Sequence, residues 1–218
     1  MPLLLLPGFM LDADLWRDVE PGLRQFGPIL HADLGQDDTL AGMARRALDM
    51  APPRFAVVGF SMGGYVAREI LRQAPERVSK LALVATSARG DSQVQARRRA
   101  SADVAFRGLS RSAVARSLRE PDDVLITRIQ AAGERMGADA FRRQSLLERE
   151  DQVGRLDYIT CPTLVVAGAE DRLRSLEEAQ ELRDGIPGAT LTIVEGVGHM
   201  IPMEAPERLA GILSAFLE

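Results

Sequence analysis

The sequence has little cysteine, histidine or lysine, and it lacks any long apolar run. Its 218 residues include a single cysteine, Cys161, so no disulfide can form within the chain and thiolates cannot build a zinc cluster. No stretch approaches the roughly 20 apolar residues that span a bilayer. The apolar start, Met1 to Leu6, lacks the basic region that is typical of a signal peptide, and Pro7 ends the apolar run. These absences predict a cytoplasmic protein with neither a membrane span nor a leader.

Charge of both signs is abundant but unevenly distributed along the chain. The 27 basic and 31 acidic residues leave a formal net charge of −4, which argues against general nucleic-acid binding. Lys80 is the one lysine, and the other basic residues are arginines. Thirteen arginines and eight acids lie between Arg89 and Arg149, so this segment carries about +5 and the rest about −9. The sequence therefore predicts a basic insert on an acidic body.

Apolar runs of strand length alternate with stretches of helical period. This pattern predicts an α/β fold with a mostly parallel sheet of about six strands and helices on both faces. The predicted strands cover residues 2–6, 29–33, 55–59, 80–85, 163–167 and 190–194, and the predicted helices cover residues 39–50, 62–73, 176–183 and 206–217.

The alternation stops between residues 88 and 158. About 70 residues without a clear strand far exceed an ordinary connection of about 2–6 residues. The content is mainly Ala, Arg, Leu and Glu. We predict three or four short helices that form a small cap, inserted in a core made of residues 1–87 and 159–218.

The strongest local motif is Gly59-Phe60-Ser61-Met62-Gly63. It follows an apolar strand and opens a helical stretch, which is the context of a nucleophile elbow. The strand-to-helix turn is so sharp that side chains two residues to either side would clash, and glycine removes those clashes. The helix N-terminus adds partial positive charge beside the seryl oxygen. We predict that Ser61 is a nucleophile.

A serine nucleophile needs a base, and the chain has two histidines. His199 follows the last predicted strand, at the sheet edge where open α/β sheets build their sites, so we predict that it is the base. His31 lies in a short apolar stretch and is predicted to be a packed or hydrogen-bonded core residue. Asp171, after the fifth predicted strand, is the predicted carboxylate partner. Glu170 is its nearest rival, and Asp91 is a weaker one.

The segments Gly-Phe-Ser-Met-Gly-Gly, Gly-Ala-Glu-Asp and Gly-Val-Gly-His-Met together resemble the α/β-hydrolase superfamily across nearly the whole chain. Within it, the sequence is most similar to small capped carboxylesterases of the pimeloyl-carrier-protein methyl ester esterase type, and also to some small C–C bond hydrolases. The resemblance implies an oxyanion hole formed by the backbone N–H groups of Met62 and Phe9. Relatives commonly have His-Gly-x-Gly where this chain has Pro7-Gly8-Phe9-Met10.

These residues predict a serine hydrolase, a carboxylesterase that cleaves a small or medium acyl ester through an acyl-enzyme. Ser61 would attack the carbonyl while His199 takes its proton and Asp171 orients His199. No metal or organic cofactor is needed. Two alternatives are a C–C bond hydrolase or lyase that uses the same triad, and a ligand-binding homologue without turnover.

The substrate and partners are predicted from less specific features. Met10, Trp16 and Met200 would line an apolar pocket for a small-molecule ester, although ordinary core packing also accounts for them. The arginine-rich insert would attract an anionic partner, such as an acidic carrier protein or a carboxylate-bearing substrate. In the resembled esterases, cap arginines meet a carrier protein. The densest run, Arg97 to Arg99, also fits a solvated helix face.

Overall fold

Six parallel strands form one sheet in the order β2-β1-β3-β4-β5-β6 in a computed structural model that describes residues 1–91 and 106–218. The predicted parallel α/β sheet is therefore confirmed, and each strand lies within about two residues of its predicted ends. The strands are β1 (Leu3–Leu6), β2 (Ile29–His31), β3 (Phe55–Phe60), β4 (Val78–Val84), β5 (Thr163–Gly168) and β6 (Thr190–Val194).

The four helices with predicted bounds begin and end within two residues of those bounds, because their caps are local. The Thr39 side chain accepts a hydrogen bond from the Gly42 N–H at 3.1 Å and caps the first long helix. Within residues 1–91 and 106–218, no helix combines the length and apolar character that a bilayer crossing requires. The α-helices are α1 (Glu20–Leu23), α2 (Leu40–Met50), α3 (Met62–Gln73), α4 (Arg111–Ala115), α5 (Asp123–Leu146), α6 (Leu176–Gly185), α7 (Ile201–Glu204) and α8 (Pro206–Leu217), and 3-10 helices cover Ala13–Trp16, Arg24–Phe26 and Pro75–Arg77.

Both faces of the sheet are buried, which explains why the strands are continuous apolar runs rather than alternating ones. In β1, Leu3 and Leu5 join one hydrophobic core, and Leu4 and Leu6 join the other. Helices α1 and α8 cover the first face, and α2, α3 and α6 cover the second. The carboxyl ends of the strands therefore remain available for a site.

The described part of the segment between β4 and β5 is helical. After α4, the range of α5 consists of two helices that are separated by non-helical backbone at Gly137 (φ 76°, ψ 179°). Ile126, Ile129 and Ala132 recur at helical spacing on α5 and are buried against the first core. Arg97 to Arg99 lie outside the described residues. The division into a core and an inserted cap stays a prediction.

Ion pairs join α5 to the acidic start of the chain. Arg128 pairs with Asp14 (Nε to Oδ2, 2.6 Å) and with Asp18, and Arg135 pairs with Asp12 at 2.7 Å. The hydrogen bond from Arg128 lowers the pKa of Asp18 below its ordinary value. Part of the uneven charge along the sequence is thus used to attach one segment to another.

Candidate active site

Ser61 lies between the end of β3 and the first residue of α3, in a conformation that requires glycine neighbours. Its φ of 51° and ψ of −112° lie outside the regions that L-residues normally occupy. A Cβ on Gly59 would lie 2.5 Å from the Gly63 carbonyl oxygen, and a Cβ on Gly63 would lie 2.4 Å from the Leu6 carbonyl oxygen. The Thr86 hydroxyl donates to the Ser61 carbonyl oxygen at 2.7 Å and helps hold the turn. The turn therefore has the geometry of a nucleophile elbow.

A continuous line of hydrogen bonds joins three side chains from distant parts of the sequence. His199 Nε2 lies 3.0 Å from Ser61 Oγ, and His199 Nδ1 lies 2.7 Å from Asp171 Oδ2. The side chains of His199 and Asp171 are 7% and 1% exposed. Because a carboxylate only accepts, Nδ1 carries the proton and Nε2 is left to accept from the serine hydroxyl. This arrangement can deprotonate Ser61 as it attacks.

Two neighbouring acids after β5 have different hydrogen-bond partners. Besides His199, Asp171 accepts through Oδ1 from two backbone N–H groups two and three residues further along, at 2.7 and 2.9 Å. Glu170 instead accepts from the backbone N–H groups of Gly196 and Val197, at 3.2 and 2.8 Å. Glu170 therefore shapes the loop that carries His199, whereas Asp171 contacts the imidazole itself.

The other two candidates from the sequence pair elsewhere. His31 Nε2 lies 2.8 Å from Glu20 Oε1, near the edge strand β2. Asp91 forms an ion pair with Arg149, whose Nη1 lies 3.2 Å from Asp91 Oδ1. The structure thus brings His199 and Asp171, rather than His31 and Asp91, to Ser61.

A glutamine that the sequence analysis missed anchors the loop after β1. Phe9 lies in this loop, and the next residue, Met10, adopts a positive φ of 55°. The Met10 N–H donates to Gln144 Oε1 at 2.7 Å, and Gln144 Nε2 donates to the Leu34 carbonyl oxygen at 3.0 Å. Gln144 of α5 is 1% exposed and so fixes the backbone next to Phe9. A polar residue in an arginine-rich helix carries no local signal for this role.

A cavity of about 630 Å³ opens onto Ser61 and His199. One part of its wall is apolar, and another carries several arginines. The apolar part includes Phe9, Leu11, Phe60, Met62, Leu109, Val114, Ile129 and Met200, and the charged part includes Arg89, Arg149, Arg172, Arg174 and Glu178. This wall suits a ligand with one apolar and one polar portion.

The structure places the three predicted pocket residues differently. Met200 lines the cavity, together with Phe9 and Met62. Met10 and Trp16 are completely buried and are not among the described residues of the cavity wall. Trp16 belongs to the hydrophobic core instead, where its ring meets Phe60 edge to face at 6.5 Å.

Known proteins with similar sequences carry esterase names. A protein named pimeloyl-[acyl-carrier protein] methyl ester esterase from Nitrosomonas europaea is 24% identical over 241 residues, covering 98% of this chain and 94% of that protein. Its namesake from Klebsiella pneumoniae (strain 342) is 37% identical over 93 residues. That alignment covers 39% of this chain and spans only 36% of the length of the Klebsiella protein.

The solved structures extend the likeness to the fold. A thermophilic esterase from Thermogutta terrifontis superposes with a TM-score of 0.86 at 26% identity, covering 100% of this chain and 89% of that one. The model of the alpha/beta hydrolase family matches residues 3–212. With the elbow at Ser61 on a parallel sheet, this match leaves one conclusion. The chain belongs to the alpha/beta hydrolase family.

Proposed function

We propose that this chain is a serine carboxylesterase that cleaves a small or medium acyl ester through a Ser61-His199-Asp171 triad. The observation that carries the proposal is the line of hydrogen bonds at 3.0 and 2.7 Å from Ser61 through His199 to Asp171. The esterase names of the relatives from Nitrosomonas europaea and Thermogutta terrifontis support the same reaction class. Hydrolysis of an ester needs no group beyond these side chains and water.

The proposed reaction follows from the hydrogen-bond directions. His199 Nε2 takes the proton of Ser61 as Oγ attacks the ester carbonyl, and the Asp171 carboxylate stabilises the imidazolium that forms. The backbone N–H groups of Phe9 and Met62 would donate to the oxyanion, and each such donor typically contributes 10²–10³ in turnover. His199 then protonates the leaving alkoxide. Water, deprotonated by His199, releases the acyl group and restores Ser61.

The occupant proposed for the cavity is a small molecule rather than a protein. A volume of about 630 Å³ suits a ligand of modest size. In the part of the insert that the structure describes, Arg128 and Arg135 are already paired with acids near the start of the chain. Docking of an acidic carrier protein on the insert, including Arg97 to Arg99, stays a prediction.

Replacing Ser61 tests the proposal directly. Wild type should hydrolyse p-nitrophenyl butyrate and react covalently with a fluorophosphonate, whereas Ser61→Ala should do neither, because the attacking oxygen is gone. Ser214→Ala in α8 is the matched control, since its hydroxyl donates to the Gly22 carbonyl oxygen and not to the triad. Undiminished hydrolysis by a folded Ser61→Ala variant would refute the assignment.

A further inference from the structure

Three arginines surround one tyrosine beside the candidate active site. Tyr65 lies four residues after Ser61 on α3, about 6 Å further along the helix axis. The guanidinium carbons of Arg68, Arg149 and Arg174 lie 4.6, 5.3 and 5.8 Å from the centre of its ring. Arg68 is 1% exposed, and the side chain of Arg149 is 9% exposed. Positive charge is therefore concentrated and largely withdrawn from water.

One arginine of this cluster has no carboxylate partner among residues 1–91 and 106–218. Arg149 pairs with Asp91 at 3.2 Å, and Arg174 pairs with Glu178 at 3.0 Å, whereas Arg68 donates to a neutral glutamine oxygen at 2.9 Å. Among residues 1–91 and 106–218, Arg68 Nη1 and Arg149 Nε are buried and have no hydrogen-bond partner. Within the described part of the chain, Arg68 thus lacks a carboxylate partner, and two buried donors remain unused.

The Arg68 guanidinium stays charged in this environment. Burial lowers the pKa of Arg68, but arginine starts so far above neutrality that it remains protonated. Burial alone would raise the pKa of Glu178, yet hydrogen bonds from Ser175 and Ser87 and the charge of Arg174 hold it below its ordinary value. Glu178 is therefore an anion that pairs with Arg174, and in the described ranges Arg68 is left without a carboxylate counter-ion. A buried guanidinium without a counter-ion is costly, and a bound anion would offset that cost.

The charged groups reach the cavity that contains the serine. Arg149 and Arg174 both belong to its wall, along with Ser61 and His199. Arg174 also donates its backbone N–H to Asp171 Oδ1 at 2.9 Å, so the cationic part of the wall is tied to the triad. A ligand that places its ester at Ser61 can thus reach the arginines with a second polar group.

We propose that Arg149 and Arg174, backed by Arg68, form a carboxylate subsite, and that the preferred substrate is an ester carrying a free carboxylate. A hemiester of a dicarboxylic acid has this chemistry. One carboxylate matches the planar guanidinium fork and supplies the single counter-ion that Arg68 lacks, whereas a phosphate monoester brings nearly two negative charges. The proposed preference for such a substrate rests on the proposed esterase function. The proposed binding of a carboxylate by the subsite does not depend on that function.

A pair of matched esters tests the catalytic consequence. The kcat/KM for monomethyl adipate should exceed that for the methyl ester of adipic acid monoamide by about tenfold or more, because a hydrogen bond to a charged group is lost in the amide. Arg149→Gln and Arg174→Gln should each bring this ratio towards one, whereas Arg183→Gln, whose partner is the exposed Asp184, should keep the wild-type ratio. A ratio near one in wild type, with Ser61-dependent hydrolysis of both esters, overturns the subsite and leaves the esterase intact.

Ligand binding without turnover provides the second measurement. In the Ser61→Ala variant, adipic acid monoamide should raise the melting temperature, whereas the neutral diamide should not. If no ester is hydrolysed at all, the proposed function fails while this shift still supports the subsite. Equal shifts in melting temperature from the monoamide and the diamide overturn the subsite. A shift in melting temperature from butyl phosphate alone overturns the assignment of the subsite to a carboxylate.

Discussion

Replacing Asp171 by asparagine changes one heavy atom at the end of the hydrogen-bond line. The Asn side chain can keep its oxygen on the two backbone N–H groups that Oδ1 now accepts, so the loop should hold its shape. Its NH₂ group then faces His199 Nδ1, where Oδ2 lies 2.7 Å away in the native chain. A donor at that position forces Nδ1 to accept, which moves the imidazole proton to Nε2. The imidazole then has no lone pair to receive the Ser61 proton.

The expected loss follows from this change of tautomer. A triad with the wrong histidine tautomer typically loses about 10⁴ in kcat. At about 1.36 kcal/mol per factor of ten, this loss is about 5.4 kcal/mol of transition-state stabilisation. Stability should change far less, because the side chain keeps its backbone partners.

Glu170→Gln is the matched comparison. Its two oxygens accept from Gly196 and Val197, so the amide can keep its oxygen on the buried Val197 N–H and would lose the bond from the exposed Gly196 N–H, at a cost of about 0.5–1.5 kcal/mol of stability. We therefore expect Asp171→Asn to lower kcat for p-nitrophenyl butyrate strongly at nearly unchanged melting temperature. Glu170→Gln should lower the melting temperature modestly and leave kcat nearly unchanged. If Asp171→Asn kept activity within tenfold of wild type, the assignment of the orienting acid would be wrong.

Three further predictions concern the supports of the site. Gln144→Ala should lower kcat and destabilise the fold by about 1–3 kcal/mol, because the Met10 N–H loses its buried acceptor. Hydrolysis kinetics measure the change in kcat, and thermal melting measures the change in stability. An unchanged kcat would contradict this prediction. Gly63→Ala should prevent folding or greatly lower the melting temperature, since the new Cβ would lie 2.4 Å from a backbone oxygen; a native melting curve would count against it. Arg128 lowers the pKa of Asp18 below 3.8, so their pair stabilises the fold above about pH 4 and loses that effect as the pH falls through the folded pKa. The difference in melting temperature between wild type and Arg128→Ala should therefore shrink from pH 6 to pH 3, and a constant difference would show that packing alone is involved.

The sequence was most informative where local chemistry determines structure. The turn at Ser61 requires glycine at fixed offsets, so its motif indicates both the strand before it and the helix after it. Asp171 and Glu170 are harder to separate, because both follow the same strand and only the direction of each side chain decides its partner. Gln144 has no local signal at all, since its partner Met10 lies 134 residues away in the sequence.

The sequence did not separate apolar residues of the pocket from those of the core. Met10 and Trp16 were predicted to line the pocket, yet both are completely buried, whereas Met200 lines the cavity. Hydrophobicity predicts removal from bulk water, but it does not distinguish a core from the wall of a pocket. That distinction depends on which side of the loop faces the segment between β4 and β5, and this is a tertiary property.

Across residues 1–91 and 106–218, three non-glycine residues have a positive φ, and they follow the neighbouring strands β1, β3 and β4: Met10 (55°), Ser61 (51°) and Ala85 (47°). Each conformation costs of order 1 kcal/mol or more for an L-residue, and glycine would relieve it. Ala85→Gly should therefore change the stability of the fold little. Ser61→Gly would relieve the backbone strain at residue 61 but would remove the reactive hydroxyl. A screen that selects for thermal stability alone would consequently favour inactive variants. Stabilising this protein therefore requires selection for turnover at the same time.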